Sequence, residues 1–282
     1  MSAAADTAVI HLVRAGNDLD ALSQFLASYE SCPAGAAHRL IFLLKGFDGK
    51  LPQGVAALLD RTPHTRIYCP DRGYDIGSYF YVAERIEEPF VLFTNSFSVL
   101  QGSQWLSKFL NAYNRRGVGL VGATGSWQSR SSAFFNSRFT AVGPPACGLF
   151  SKGKALALWL PLRALFPAFP NVHIRTNGFL LARKDFLAMR PTLMRTKIDT
   201  WLFESGRRSL TMRVLRRGLS VLVVGRDGSV YRPEEWPRSG TYWQFKQENL
   251  LIQDNRTIAY EKGDANLQAQ RCQSAWNCTT GR

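Results

Sequence analysis

The chain has few cysteines and few acidic residues, and each shortage limits the kinds of protein that it can be. Its 282 residues include only 5 cysteines. An odd number at unrelated spacings fits neither a disulfide framework nor a zinc site. A pair between Cys272 and Cys278 is one interpretation, but reduced thiols are expected. Asp and Glu number 21 against 35 Lys and Arg, which gives a formal net charge of +14. Such an excess predicts acidic partners: nucleic acid, anionic lipid or a phosphorylated small molecule.

Other signatures are also missing. No recognisable nucleic-acid-binding module accompanies the basic residues, so nucleic acid is not expected as a partner. The first residues, MSAAADTAVIHLV, lack a basic region ahead of an apolar one. They predict no secretory signal, and a cytoplasmic location is expected.

The most apolar stretch, residues 149–169, is interrupted by Pro161 and carries basic residues. Both features argue against a transmembrane helix. Two interpretations stay open. The stretch forms an ordinary core helix, or it lies in the surface of an anionic membrane as a monotopic helix. The second interpretation would hold the protein peripherally on the inner membrane face.

What the first half does have is an alternation of strands and helices. Apolar runs predict strands at residues 8–14, 39–44, 66–69, 90–93 and 118–123, with helical patterns between them. This repetition predicts an α/β fold: a mostly parallel central sheet with helices on both faces, similar to a Rossmann fold.

The second half is less regular. The pattern predicts a long loop over 125–145, a strand over 175–182, a helix over 200–217 that ends at Gly218, a strand over 219–224 and a short helix over 248–252. Long loops in compact domains are often functional.

Two polar clusters follow the third and fourth predicted strands. The first includes Asp71, Gly73, Asp75 and Gly77, and the second is Thr94-Asn95-Ser96. In an open α/β sheet, ligands bind outside the carboxyl ends of the strands. Asp75 has two interpretations: it caps the following helix, or it binds a base or ribose.

The second cluster, Asn95 and Ser96, contains no acid. Mg²⁺ and Mn²⁺ prefer carboxylate oxygens, so the sequence predicts no firm metal site here. Metal dependence stays open.

The order of these motifs resembles a GT-A glycosyltransferase of the family 2 type. The shared elements are Tyr74-Asp75-Ile76-Gly77, Phe93-Thr94-Asn95-Ser96, Val121–Trp127, His173–Asn177 and Phe203–Gly206, and they are similar to a bacterial subgroup of that family. The resemblance covers about residues 9–260. It implies one catalytic domain over 1–262, with a nucleotide-binding half at about 1–123 and an acceptor half at 124–262, followed by a C-terminal tail at 263–282.

The resemblance implies a nucleotide-sugar donor, a UDP, GDP or dTDP sugar. The donor-binding residues would be Asp71, Gly73, Asp75, Gly77, Asn95, Ser96 and Arg175. The family carries a D-x-D motif for Mg²⁺ or Mn²⁺ where this chain has Asn95-Ser96-Phe97. Arginines would then meet the diphosphate charge instead; the candidates are Arg175, Arg207, Arg232 and Arg238.

Inverting transfer needs a carboxylate to take the acceptor proton. By resemblance, Glu204 is the first candidate and Asp199 the second, although both also fit helix N-terminal charges. The acceptor, a glycan or a lipid-linked compound of bacterial surface polysaccharide synthesis, would meet Trp127, Thr176, Asn177 and Gly178. The alternative is a catalytically silent GT-A-like protein that binds nucleotide or glycan.

Overall fold

The computed structural model describes residues 6–136 and 149–277. Twelve strands occur in those residues: β1 (Thr7–Arg14), β2 (Arg39–Lys45), β3 (Thr65–Cys69), β4 (Phe90–Thr94), β5 (Val99–Leu100), β6 (Val118–Gly122), β7 (Gly125–Ser126), β8 (His173–Ile174), β9 (Gly178–Ala182), β10 (Ser220–Val224), β11 (Val230–Tyr231) and β12 (Ile252–Gln253).

The described helices alternate with the strands in the first half and cluster in the second. They are α1 (Leu19–Ser31), α2 (Gln53–Leu59), α3 (Tyr74–Ala83), α4 (Trp105–Tyr113), α5 (Arg130–Phe135), α6 (Leu149–Leu165), α7 (Arg183–Ala188), α8 (Lys197–Ser205), α9 (Leu210–Arg216), α10 (Asn255–Glu261) and α11 (Ala265–Trp276). A 3-10 helix covers Pro233–Arg238.

Eight of these strands form one sheet in the order β11-β10-β6-β9-β4-β1-β2-β3. The pairs β1–β2, β2–β3, β1–β4 and β6–β10 are parallel. Strand β9 runs antiparallel between β4 and β6. The predicted α/β class with a mostly parallel sheet is therefore confirmed, with one reversed strand inside it.

The sheet is covered on both faces, which explains the continuous apolar runs of its strands. Along β1, Ile10 and Leu12 join one buried cluster, and Val9 and Val13 join the other. Successive side chains of a strand point to opposite faces, so each cluster fills one side of the sheet.

Several second-half predictions need correction. The predicted helix over 200–217 is two helices, because Ser209 accepts a hydrogen bond from Met212 N and starts α9 anew. The strand predicted over 175–182 begins only at Gly178. Residues 248–252 form no helix and end in β12. Part of the predicted loop, residues 125–136, contains β7 and α5, whereas residues 137–145 lie outside the described residues.

The segment after residue 262 differs from the expected tail, since most of it is helical. Helix α11 begins at the Asp264 cap, which accepts a hydrogen bond from Leu267 N at 2.8 Å. Trp276 is buried, and its Nε1 donates to Tyr242 O at 2.8 Å. The last turns of the helix thus pack into the core through Cys272, Ala275 and Trp276.

The apolar stretch around α6 is a surface helix rather than a core helix. Leu156, Leu158 and Leu160 are 46%, 62% and 55% exposed. The helix is fixed from one side, where Trp159 Nε1 donates to Ser131 O at 3.1 Å.

Among the described residues, no helix has both the length and the hydropathy that crossing a membrane requires. Cys32 and Cys69 are free thiols. Cys272 is disulfide-bonded, in contrast to the expectation of reduced cysteines.

Candidate functional site

Three cavities with shared walls lie along the carboxyl edge of the sheet. The β3 cavity is lined by Arg14, Lys45, Asp71, Gly73, Tyr74, Gly77 and Arg195, among others. The central cavity is lined by Arg14, Tyr74, Asp75, Asn95, Ser96, Arg175, Thr176, Asn177, Lys197, Glu204 and Arg256, among others. The arginine cavity is lined by Arg130, His173, Arg175, Glu204, Trp243, Asn255, Arg256 and Arg271, among others.

The shared residues give the order of the cavities. Arg14 and Tyr74 line both the β3 cavity and the central cavity. Glu204 and Arg256 line both the central cavity and the arginine cavity. The three cavities are therefore adjacent, and we call this row of cavities the groove; Glu204 lies where the last two meet.

Glycines shape the β3 cavity at the start of α3. Gly73 has φ of +73°, a left-handed conformation that glycine adopts without strain. A Cβ on Gly73 would lie 3.1 Å from Gly77 Cα and 3.3 Å from Met194 O. The two glycines thus let the Met194 segment pack directly over the beginning of α3.

Lys45 is almost fully buried at the end of β2. Its Nζ donates to Tyr74 O at 2.6 Å and to Arg72 O at 3.2 Å, and it lies 3.6 Å from Asp71 Oδ1. Burial lowers the pKa of Lys45, while the nearby acids Asp75 and Asp71 oppose that effect. Lys45 therefore fixes the loop that forms the cavity wall.

Asp75 lies in the first turn of α3, and Gly73 takes the cap position. Of the two interpretations of Asp75, the helix cap is wrong, because Gly73 takes that position and Asp75 lines the central cavity. Burial raises the pKa of Asp75, although Lys45 and Arg14 pull it down.

The turn after β4 uses its polar groups internally. Asn95 Oδ1 accepts hydrogen bonds from Phe97 N at 3.0 Å and from Ser98 Oγ at 3.1 Å. This amide oxygen is committed to the turn. The described residues also contain no group of three or more His, Cys, Asp or Glu that would hold a metal ion. The donor set does not fit Mg²⁺ or Mn²⁺, which need several oxygen ligands.

Glu204, near the end of α8, is held by the segment that follows β8. Its Oε1 accepts hydrogen bonds from Thr176 N at 3.0 Å and Thr176 Oγ1 at 3.1 Å. Among the described residues, none donates a hydrogen bond to the other carboxylate oxygen of Glu204, Oε2. The carboxylate is therefore fixed through one oxygen, and the other is available to a ligand.

The charge state of Glu204 follows from its neighbours. Burial raises its pKa, but His173, Arg175, the Thr176 N–H and Arg256 outweigh burial and lower it below its usual value. Burial also lowers the pKa of His173, so that ring is neutral near pH 7. Near pH 7 we therefore attribute the electrostatic stabilisation of the Glu204 carboxylate to Arg175 and Arg256.

Asn177 adds an unsatisfied donor to the central cavity. Its Oδ1 accepts from Thr124 Oγ1 at 2.7 Å, whereas its buried Nδ2 has no hydrogen-bond partner. Buried polar groups without a partner are rare and call for an explanation. Gly178 is a packing position, since a Cβ there would lie 2.9 Å from Ile252 Cδ1.

Arg175 is not the free clamp that the sequence predicted. It donates through Nη2 to Asp254 Oδ2 at 2.9 Å, and both side chains are buried. Its Cζ also lies 4.2 Å from the ring centroid of Tyr242. Arg175 lines the cavity wall as one half of an ion pair.

Unlike Arg175, the other three predicted clamps do not line the three cavities. Arg207 donates to Ala164 O and Arg163 O at the end of α6, Arg232 precedes the 3-10 helix and Arg238 lies in its last turn.

Two further candidates lie elsewhere. Asp199 Oδ2 accepts from Arg195 N and Thr196 N at 2.8 and 2.7 Å, forming a capping box at the start of α8. These backbone hydrogen bonds lower its pKa. Trp127 packs between the rings of Phe169 and Trp276 rather than facing the groove.

Sequence reasoning missed Arg130, Arg256 and Arg271, which lie far apart in the chain and resemble ordinary surface arginines. It also passed over His173 as a site residue. Its Nδ1 lies 2.7 Å from Asn171 O; since a carbonyl only accepts, Nδ1 carries the proton and Nε2 the lone pair.

No protein-family model matches the chain, and no curated protein matches it. Among solved structures it is similar to a mannosyltransferase from Pyrobaculum calidifontis in complex with GDP-Man and Mn²⁺, at 11% identity over 67% of this chain and 47% of that one, with a TM-score of 0.40. It is also similar to glucosyl-3-phosphoglycerate synthase from Mycobacterium tuberculosis in complex with Mn²⁺, UDP and phosphoglyceric acid, at 11% identity over 64% and 57%, with a TM-score of 0.39.

A third similar structure is 4-diphosphocytidyl-2C-methyl-D-erythritol synthase from Anaerococcus prevotii, at 14% identity over 77% of this chain and 86% of that one, with a TM-score of 0.42. The chain spans about half the length of the first two neighbours. The neighbours include enzymes of the class that the motifs resemble. At these TM-scores the likeness carries no argument for an activity, and the fold class rests on the chain's own sheet.

Proposed function

We propose that the protein is a glycosyltransferase that moves a sugar from a nucleotide-sugar donor to an acceptor hydroxyl, with Glu204 as the base. One observation carries the proposal. Glu204 is an oriented carboxylate at the junction of two cavities, held through Oε1 by Thr176, with Oε2 available. This is the arrangement that a two-substrate transfer needs, because the base must meet the acceptor where the donor ends.

The proposed reaction is a single displacement. The acceptor oxygen forms a bond to the anomeric carbon of the sugar while the bond from that carbon to the diphosphate oxygen breaks. The acceptor proton passes to Glu204 Oε2, and the nucleoside diphosphate leaves with the electron pair. A single displacement inverts the configuration of the anomeric carbon.

The donor would lie in the β3 cavity and the central cavity. Besides Arg175, which is paired with Asp254, three cations line the central cavity: Arg14, Lys197 and Arg256. In this proposal they stabilise the negative charge that develops on the leaving diphosphate. In this proposal the unpartnered Asn177 Nδ2 donates a hydrogen bond to a sugar hydroxyl or a phosphate oxygen. No step is assigned to a metal, since the donor set at the end of β4 does not fit one.

The alternative is a catalytically silent protein of the same fold that binds nucleotide or glycan. The absence of acids at the turn of Asn95 and Ser96 favours it. The two functions differ in turnover, and not in nucleotide binding.

The experiment is a calorimetric titration of the full chain with UDP, GDP and dTDP sugars, each with Mn²⁺ and with chelator. We expect one nucleotide class to bind, and to bind equally with chelator. Arg14→Gln should weaken that binding by about tenfold, and Arg116→Gln, at an exposed arginine outside the three cavities, should not change it. Binding of no nucleotide sugar under either condition contradicts the proposal.

A peripheral membrane contact belongs to the same proposal, because a lipid-linked acceptor would lie at the surface of a bilayer. The exposed leucines of α6 continue to Leu165, which lines a shallow cavity with Leu193, Arg207, Arg208 and Arg213. Apolar side chains beside arginines are typical of a surface that binds an anionic membrane, because the apolar side chains contact the acyl chains and the arginines contact the anionic headgroups. We propose this face as the inner-membrane contact of an enzyme of bacterial surface polysaccharide synthesis.

Vesicle flotation tests the membrane contact. Vesicles rich in phosphatidylglycerol should carry the protein, and phosphatidylcholine vesicles should carry much less. Changing Leu158 and Leu160 to Gln should reduce flotation, whereas Leu19→Gln, at an exposed leucine of α1, should not. Equal flotation of the two variants contradicts the contact.

A further inference from the structure

The arginine cavity has a volume of about 520 Å³ and lies on the far side of Glu204 from the β3 cavity. It receives residues from α5 and α11, which line neither of the other two cavities, and from α8 and α10, which also line the central cavity. Helix α11 thus completes a wall of the groove, in addition to its packing role. The proposed donor leaves this cavity unfilled.

The charges of the arginine cavity are unbalanced. Arg130, Arg256 and Arg271 line it, and within the described part of the chain none of the three forms an ion pair with a carboxylate. Glu204 is the one acidic side chain among the described lining residues. Arg175 adds no net charge because Asp254 pairs with it. The cavity therefore presents an excess of about two positive charges by this count.

Aromatic rings hold two of these arginines in place. The Cζ of Arg130 lies 3.7 Å from the ring centroid of Trp201, and that of Arg271 lies 4.9 Å from the ring centroid of Trp243. Trp243 Nε1 also donates to Arg256 O at 3.4 Å. A guanidinium that stacks on a ring keeps its N–H edge available for a phosphate or a carboxylate.

The segment that carries Trp243 has an uncommon backbone. Trp243, Phe245 and Gln247 have φ of 50°, 46° and 54°, in the left-handed region that these residue types rarely adopt. Hydrogen bonds from Trp243 N to Gln247 Oε1 and from Gln247 Nε2 to Thr257 O hold the segment. Strain of this kind persists only where the surroundings impose it, and it clusters at ligand sites.

We propose that the arginine cavity binds the phosphoryl group of the acceptor, so that the acceptor is a phosphorylated hydroxyl compound. This inference rests on the proposed function. Arg130 and Arg271, which line this cavity and not the central one, bind the phosphoryl oxygens through charge-assisted hydrogen bonds. The acceptor hydroxyl then lies at Glu204 Oε2, which takes its proton as the new bond to the sugar forms and the nucleoside diphosphate departs. A soluble sugar phosphate and a lipid with a phosphate headgroup both supply this chemistry.

The first test uses inorganic pyrophosphate as the probe, titrated into the full chain by calorimetry. The double variant Arg130→Gln with Arg271→Gln removes two charges that line the arginine cavity and neither of the other two cavities. Its matched control is Arg115→Gln with Arg116→Gln, two exposed arginines outside the three cavities. We expect the double variant to weaken pyrophosphate binding by about tenfold or more, with the control within about twofold of the native chain.

Further measurements separate a folding defect from failure of the anion site and from failure of the proposed function. A native melting temperature shows that the double variant is folded. Arg130→Lys keeps the charge but loses the planar fork, so its pyrophosphate affinity should lie between those of the native chain and Arg130→Gln. Nucleotide-sugar binding should be unchanged in the double variant. Equal pyrophosphate affinity in the double variant and its control overturns the anion site even if nucleotide sugars bind. Arginine-dependent pyrophosphate binding without any nucleotide-sugar binding overturns the assignment to an acceptor.

Competition against bound pyrophosphate distinguishes a soluble sugar phosphate from a lipid headgroup as the source of the phosphoryl group. Displacement of pyrophosphate by glucose 1-phosphate assigns a soluble acceptor. Displacement by vesicles that contain phosphatidic acid, and not by the sugar phosphate, assigns a lipid-linked acceptor. Displacement by neither overturns the role of the cavity in acceptor binding.

Discussion

Thr176 gives both its backbone N–H and its hydroxyl to the same oxygen of Glu204, at 3.0 and 3.1 Å. The pair joins the end of α8 to the segment between β8 and β9, so the carboxylate keeps one orientation. Hydrogen bonds to the charged form of an acid lower its pKa. Thr176 is therefore a positioning residue for the proposed base.

Replacing Thr176 with Val keeps the backbone donor and removes the hydroxyl. We expect the pKa of Glu204 to rise and the turnover number to fall by about threefold to tenfold, the effect of roughly one hydrogen bond. The measurement is the pH profile of turnover, whose acid limb should move to higher pH. Thr176→Ser keeps the hydroxyl and should restore the native profile; an unchanged profile in the Val variant contradicts the positioning role.

Asp199 separates a structural acid from the proposed catalytic one. Its carboxylate accepts hydrogen bonds from the backbone of Thr196 and Arg195, so Asp199→Ala should lower the free energy of unfolding by about 1 kcal/mol, the usual cost of losing a helix cap. Chemical denaturation measures this loss. Turnover per folded molecule should stay native, and a large loss of turnover would return Asp199 to the role of base.

The buried pair of Arg175 and Asp254 is expected to dominate local stability. Asp254→Ala leaves an unpaired buried guanidinium, which should cost about 3–5 kcal/mol. It also removes the acceptor for Arg256 N and Thr257 N at the start of α10. Denaturant melts compare this variant with Asp227→Ala, at an exposed aspartate in a turn. Equal losses in the two variants would show that the pair contributes little.

His11 predicts an acid-dependent loss of stability. Burial lowers its pKa from 6.5 to about 3, and its ring is stacked on Phe25 with 3.5 Å between centroids. Between these two pH values the unfolded chain binds a proton that the folded protein does not. Stability from this group is thus complete above pH 6.5 and falls on acidification, by up to about 1.4 kcal/mol per pH unit.

The measurement is the free energy of unfolding between pH 7 and pH 4 for the native chain and for His11→Gln. In this variant, the slope of the unfolding free energy against pH should be smaller by nearly the contribution of one proton. Parallel curves for the native chain and His11→Gln would contradict the assignment.

The sheet strands of the first half were predictable because each is a short apolar run bounded by polar turns, as in β1 and β4. Strand direction is not encoded in such a run, so the reversal of β9 between β4 and β6 came only from the structure.

The candidate site was predictable where residues are close in sequence, as for Thr176 and Asn177. The arginine cavity was not, since Arg130, Arg256 and Arg271 meet only after folding. The role of Asp199 was readable in principle: Thr196 three residues before it is the pattern of a capping box.

The central claim is that Glu204 takes the acceptor proton. Its most direct test is the rate of nucleoside diphosphate release from the donor found by titration, in chelator, with a phosphorylated sugar as acceptor, for the native chain and for Glu204→Gln. The account predicts a fall of about a hundredfold or more, with donor affinity within about twofold. A native rate in Glu204→Gln would contradict it.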